Sequence, residues 1–180
     1  CQKIHNPPDF YAYVARTEPN GVHFPWPIWQ QGYGGNIFRD PPTDMTPTLN
    51  TPETLAATED FVDLILKYSI AGPQIYDMAS CQTALAQSKA GIWVDALGIF
   101  GPIQDPKTSL VADKVAITLV PKGPAGRFPQ IATHGLQMPK NAKNKDAAWE
   151  FIKWATSADI LRRSAIEGTH SAVTRKSILT

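Results

Sequence analysis

Phe24-Pro25-Trp26-Pro27-Ile28-Trp29-Gln30-Gln31-Gly32-Tyr33-Gly34-Gly35-Asn36 sets aromatic rings among prolines, glycines and amide side chains. Ring faces beside amide and backbone hydrogen-bonding groups suit a ligand with apolar C–H patches and many hydroxyls, which describes a sugar or polyol. Proline fixes φ and glycine admits positive φ, so a stiff lead into a permissive turn is expected, not a uniform helix or strand. Trp26 and Trp29 are three residues apart, and one helical turn would put both indoles on one face. Two tryptophans fill a core equally well, since buried Trp most often packs. Further along, the apolar run Ala90 to Val94, which contains Trp93, ends in Asp95. A buried strand ending there would present a carboxylate to a cleft, able to accept hydrogen bonds from two ligand hydroxyls. The alternative is an Asp that caps a short helix starting at Ala96. Arg175, near the end, is either a ligand donor or a solvated surface charge.

Other chemistries lack their residues. His5, His23, His134 and His170 are far apart and without metal-ligand spacing, and a lone His23 reads as a polar loop residue. Gly32-Tyr33-Gly34-Gly35 has the wrong spacing for a phosphate loop, and no serine sits in a Gly-x-Ser-x-Gly elbow. Any two acids can meet in space to cleave a glycoside, yet none is set among aromatics to raise its pKa. The sequence therefore offers recognition groups without a nucleophile or base, which favours binding over catalysis. With a formal net charge of +1 and scattered basic residues, a nucleic-acid partner is not expected. No apolar run reaches the roughly 18 residues of a membrane span. Cys1 and Cys81 define neither a disulfide framework nor a zinc site, and their pairing stays open.

The elements that must position these groups follow from punctuation and period. Phe10 to Arg16 is a strand by composition, followed by a turn at Glu18-Pro19-Asn20-Gly21 in which Gly21 is able to take positive φ. Phe38 to Thr48 is a proline-rich surface loop. Thr51-Pro52-Glu53 starts a helix, with a hydroxyl cap, proline at the first position and an acid in the first turn. Leu55, Phe61, Val62, Ile65 and Tyr68 carry its apolar side, and Ala71-Gly72-Pro73 ends it. A shorter helix is expected over Ser80–Ser88 and a β-branched strand over Asp113–Val120. Pro121-Lys122-Gly123-Pro124-Ala125-Gly126-Arg127 has hinge composition. Thr133 to Pro139 is extended, with Gly135 allowing close backbone approach. Asn144 caps one helix, striped by Ala148, Phe151, Ile152 and Ala155, in which Trp149 and Trp154 pack. Ser157 restarts another, which Gly168 closes.

Successive blocks resemble the extracellular solute-binding proteins of bacterial ABC importers, in the carbohydrate-binding group that includes maltose-binding protein. Pro25-Trp26-Pro27-Ile28-Trp29 through Gly34-Gly35, Asn50-Thr51-Pro52-Glu53 with its helix, Asp113-Lys114-Val115 through Gly123, Asp146 to Trp154, and Thr174-Arg175-Lys176-Ser177 carry the likeness in order. The resemblance implies an α/β, periplasmic-binding-protein type II-like fold: residues 1–120 as most of the second lobe, and 121–180 as the hinge crossing and part of the first. It implies a chain covering the middle and later part of such a protein. It further implies ligand contacts at Trp26, Trp29, Tyr33, Gly34, Gly35, Trp93, Asp95, His134, Gly135 and Arg175, with the family usually having glycine where His134 stands. The implied activity is capture of a sugar or polyol between lobes and delivery to a membrane permease, with no cofactor or metal, in a periplasmic or extracellular location compatible with a lipid anchor upstream. The competing expectation is a carbohydrate-active enzyme or lectin-like domain using an acid pair near Asp95, with Asp77 as another candidate acid.

Overall fold

The computed structural model describes residues 1–70, 76–132, 134–167 and 174–178. The chain divides into two compact units, Cys1–Asp95 with Ile103–Gln130, and Ala96–Pro102 with Ile131–Thr180.

The first unit is built on a parallel pair. Strand β1, Tyr11–Val14, lies beside a later strand, Ala90–Trp93, with Tyr11 opposite Ala90 and Tyr13 opposite Ile92. A parallel bridge from Tyr13 to Ser69 occupies the other edge of β1. Covered on both edges and both faces, β1 is buried at Ala12, Tyr13 and Val14. Side chains alternate across a strand, so Tyr13 and Ala15 enter one cluster and Val14 the other. The first cluster joins Ile28, Trp29, Ala57, Phe61 and Val94; the second joins Cys81, Ala84 and Ala90. The sheet therefore has helices on both faces, an α/β arrangement.

Helix α1, Trp26–Gly32, turns the aromatic segment into a regular element. It begins with prolines, which need no amide partner in the first turn, and it runs more regularly than the proline and glycine content suggests. Gly34, at φ +93°, supplies the left-handed turn that stops it. Gly21 does not take positive φ; a Cβ there would lie 2.5 Å from the Glu18 carboxylate, which would have to swing aside. The expected loop at 38–48 contains an exposed antiparallel hairpin, β2 (Phe38–Asp40) with β3 (Asp44–Pro47).

Helix α2, Pro52–Tyr68, starts where Thr51 predicts: its hydroxyl accepts from the Thr54 amide at 3.3 Å. Its end at Tyr68 falls within the described residues, whereas Ala71-Gly72-Pro73 lies outside them. Helix α3, Met78–Ala86, begins two residues earlier than expected, because Asp77 is the cap, accepting from the Ser80 amide at 2.8 Å. The strand Ala90–Trp93 (β4) then completes the parallel pair. Residues 115–120, expected as a strand, form no ladder: β-branched composition makes an extended segment, but a strand needs a neighbour, and none pairs with it among the described residues.

A short helix α4, Gly101–Gln104, precedes the helices of the second unit, α5 (Lys145–Ala155) and α6 (Ala158–Ile166). Asn144 stands at the cap position of α5 without a side-chain bond, while Ser157 caps α6 through the Ile160 amide at 3.4 Å. Ala148, Ile152 and Ala155 are half-buried at helical spacing, but Phe151 and the expected packing residues Trp149 and Trp154 stand more than half exposed. Gly168 lies outside the described residues.

Phe61 is 2% exposed and its ring lies 5.1 Å from that of Trp29, so it ties α2 to α1. Phe61→Ala is expected to lower stability by about 3–5 kcal/mol in urea unfolding, whereas Leu55→Ala, on the exposed side of the same helix, stays within about 0.5 kcal/mol.

Candidate functional site

The ends of β1 and β4 place two charges together. Arg16 is two residues past the end of one strand and Asp95 two past the end of the other. Because the strands are parallel, both side chains emerge at the carboxyl edge, where open α/β sheets bind ligands. Arg16 Nε donates to Asp95 Oδ2 and Nη2 to Oδ1, each at 2.7 Å, a bidentate fork with both side chains nearly buried. The Phe24 ring covers the guanidinium, 4.3 Å from its central carbon, and the His23 ring sits 4.2 Å from that of Phe24.

The segment after β1 is held in place by backbone bonds. The Thr17 amide donates to the Tyr76 carbonyl at 3.0 Å, and the Tyr76 amide donates back to the Thr17 hydroxyl at 2.9 Å. The amides of Gly21 and Val22 both donate to the Glu18 carbonyl at 3.0 Å, forming the turn that carries Phe24 over Arg16. The short helix expected from Ala96 is a turn over Leu97–Ile99, with Ala96 rather than Asp95 at its cap position.

Chemically, the fork is a fixed donor next to a fixed acceptor. The pair uses Nε and Nη2, which leaves Nη1 outside it. Together with the Phe24 ring, this presents donor, acceptor and apolar face on one rigid edge.

The aromatic segment is placed mostly against α2. Trp26 Nε1 donates to the Thr58 hydroxyl at 3.0 Å, and Gln30 Nε2 to the Thr54 hydroxyl at 3.4 Å. Gly35 is needed for that approach, since a Cβ there would lie 2.6 Å from the Thr54 hydroxyl. Trp29 packs between Tyr13, with ring centroids 6.2 Å apart, and Phe61. Trp29, itself buried, and Tyr33 line a cavity of about 130 Å³ together with Asp60 and Pro121, Lys122, Gly123 and Pro124. Burial first, and then the Asp60 carboxylate, push the Tyr33 phenol up from its ordinary value. The Pro121–Arg127 segment docks here on α1: the Ala125 amide donates to the Gly32 carbonyl at 2.8 Å, and a Cβ on Gly123 would collide with the Gly32 backbone.

Trp26 and Asp95 are not among the residues lining this cavity. Trp93 is half-buried against the α3 side, its indole N–H buried without a partner among the described residues. His134, Gly135 and Arg175 belong to the second unit. His134 is exposed, a Cβ on Gly135 would meet open space, and Arg175 Nη1 donates to the Thr156 carbonyl at 3.0 Å. Among the described residues no three His, Cys, Asp or Glu side chains gather as a metal site, and no helix is long and apolar enough to cross a membrane.

The family model described as bacterial extracellular solute-binding protein matches residues 3–160. The chain belongs to that family. An erythritol/L-threitol-binding protein of Mycolicibacterium smegmatis is 24% identical over 137 residues, 76% of this chain and 29% of that protein. A probable amino-acid ABC transporter periplasmic-binding protein of Sinorhizobium fredii is 24% identical over 143 residues, 79% of this chain and 31% of its own length. Among solved structures, an ABC transporter solute-binding protein from Agrobacterium radiobacter K84 in complex with ribitol superposes with TM-score 0.78 at 26% identity, covering 98% of this chain and 46% of that one. Maltose-bound MalE3 of T. maritima gives TM-score 0.76 at 20% identity, covering 98% and 44%. The fold is thus α/β of the periplasmic-binding-protein type II kind, and this chain spans less than half the length of these relatives.

Sequence reasoning missed Arg16, Phe24 and His23 as site groups. Arg16 was visible only as the end of an apolar strand, and the signal that pairs it with Asp95 is shared position: each is two residues beyond a strand that turns out to be a neighbour. Cys1 and Cys81 are unpaired, the first exposed and the second buried. Burial, reinforced by Asp95, pushes the Cys81 thiol from 9.0 up to about 12, so it stays protonated where an unfolded cysteine ionises. The sign follows: Cys81 supports the fold fully below pH 9.0, and that support is lost as pH rises toward about 12. An aromatic disulfide reagent at pH 8 is expected to label Cys1 alone in the folded chain. Cys81→Ala is expected to flatten the fall in stability over that alkaline window.

Proposed function

We propose that this chain is part of the substrate-binding component of an ABC importer, one that captures a sugar or polyol outside the cytoplasm and hands it to a membrane permease. The observation that carries the reading is the β1/β4 edge, where donor, acceptor and aromatic face stand together on rigid elements: Arg16, Asp95 and Phe24. Family membership supports it, as do the named solutes of relatives, erythritol, L-threitol, ribitol and maltose. Trp29 and Tyr33, with Gly34 turning the chain beside them, are proposed to supply a second contact surface at the neighbouring cavity. Trp26 and Gly35 hold that surface in place through α2, and Trp93 flanks Asp95. From the second unit His134, Gly135 and Arg175 are retained as candidate ligand contacts. The assignment of residues 1–120 to the second lobe and 121–180 to the crossing and first lobe belongs to the same proposal.

Capture without catalysis fits the acids. Asp95 forms an ion pair with Arg16, and Asp77 caps α3, so the two carboxylates a glycoside-cleaving pair would draw on already have other roles. In the proposed mechanism the ligand favours the state in which more of its hydroxyls are paired, and that difference in contact energy drives the change of state.

The protein at its natural length is expected to show a saturable change in tryptophan fluorescence with at least one of ribitol, erythritol, mannitol or maltose. A flat response across that panel, with the protein folded by circular dichroism, would sink the proposal.

A further inference from the structure

The Arg16–Asp95 fork sits at a strand end with an unusual charge balance. Arg16 is a single guanidinium, and both oxygens of Asp95 already engage it at 2.7 Å. Phe24 covers the cation, restricting the water that would otherwise solvate it. Glu18 lies on the turn that carries Phe24, and Asp77 caps the neighbouring helix α3. A free guanidinium at a strand end would attract phosphate or carboxylate, because its planar fork matches them bidentately. Here that fork is already filled by a carboxylate from the protein itself.

We infer that Asp95 is a specificity-determining residue: by occupying the Arg16 fork it makes the strand-end floor select uncharged, hydroxyl-rich solutes and reject anionic ones such as sugar or polyol phosphates. This rests on the proposed capture function and narrows its substrate class. Discrimination here arises from repulsion of the wrong ligand as much as from attraction of the right one. Arg16 Nη1, outside the fork, suits a neighbouring hydroxyl, which is neutral and both donates and accepts. An incoming phosphate would have to displace Asp95, leaving that nearly buried carboxylate without its cation.

The test is isothermal titration of the protein at its natural length with ribitol, maltose and glycerol 3-phosphate, in the wild type and in Asp95→Asn. The wild type is expected to bind one of the neutral solutes at least about 100-fold more tightly than glycerol 3-phosphate. Asp95→Asn is expected to narrow that ratio at least about tenfold, by exposing the guanidinium to the anion. Circular dichroism checks that the variant is folded; if it is not, Glu18→Gln, half-buried and outside the fork, is expected to move the ratio the same way by a smaller factor. Wild-type binding of glycerol 3-phosphate as tightly as the neutral solutes would overturn this inference while leaving solute capture standing. So would an unchanged ratio in the folded Asp95→Asn variant. Binding of none of the three would count against the capture function itself, and the inference would fall with it.

Discussion

The first unit depends on one constraint: two parallel strands must be held together at the end where each turns outward with a charge. Side by side, β1 and β4 bring residues separated by 79 positions into a bidentate contact. Taking a guanidinium and a carboxylate out of water costs several kcal/mol each, and only good geometry with further bonding offsets it. The geometry is good here because the strand register fixes both backbones and Phe24 closes over the cation. The polar fork defines this edge of the sheet; the apolar clusters on both faces of β1 supply the cohesion.

That division explains why the aromatic segment has two duties. Trp26 and Gln30 are four residues apart on α1 and face Thr58 and Thr54, four apart on α2, so two helices dock through matched polar pairs. Trp29, between them, turns inward to Tyr13 and Phe61. With the helix anchored this way, its last turn presents Tyr33 and the rim of Trp29 beside the Pro121–Pro124 segment. Packing and exposure are successive positions along one short helix.

Local signals were legible where the chemistry is local. Thr51-Pro52-Glu53 specified a helix start because a hydroxyl cap, a proline at the first position and a first-turn acid act within one turn. The apolar strand ending in Asp95 was legible for the same reason. The partner of Asp95 was not, since strand neighbours are a property of the whole sheet. Asp77 was weighed as an acid and proved to be a cap, and residues 115–120 carried strand composition without a neighbour to pair with. Trp149 and Trp154 were expected to pack by period, yet a stripe says only which side could be covered. The ordered resemblance to solute-binding proteins reached the fold more directly than any single motif.

A double-mutant cycle on Arg16 and Asp95 probes this account at its centre, with urea unfolding of wild type, Arg16→Met, Asp95→Leu and the pair. Each single change strands a buried charge and is expected to cost about 3–5 kcal/mol, while the double change leaves none stranded and costs less than the sum by at least about 2 kcal/mol. Additivity within about 0.5 kcal/mol would mean that the two side chains do not act as one unit, contradicting the claim that their contact fixes this end of the sheet.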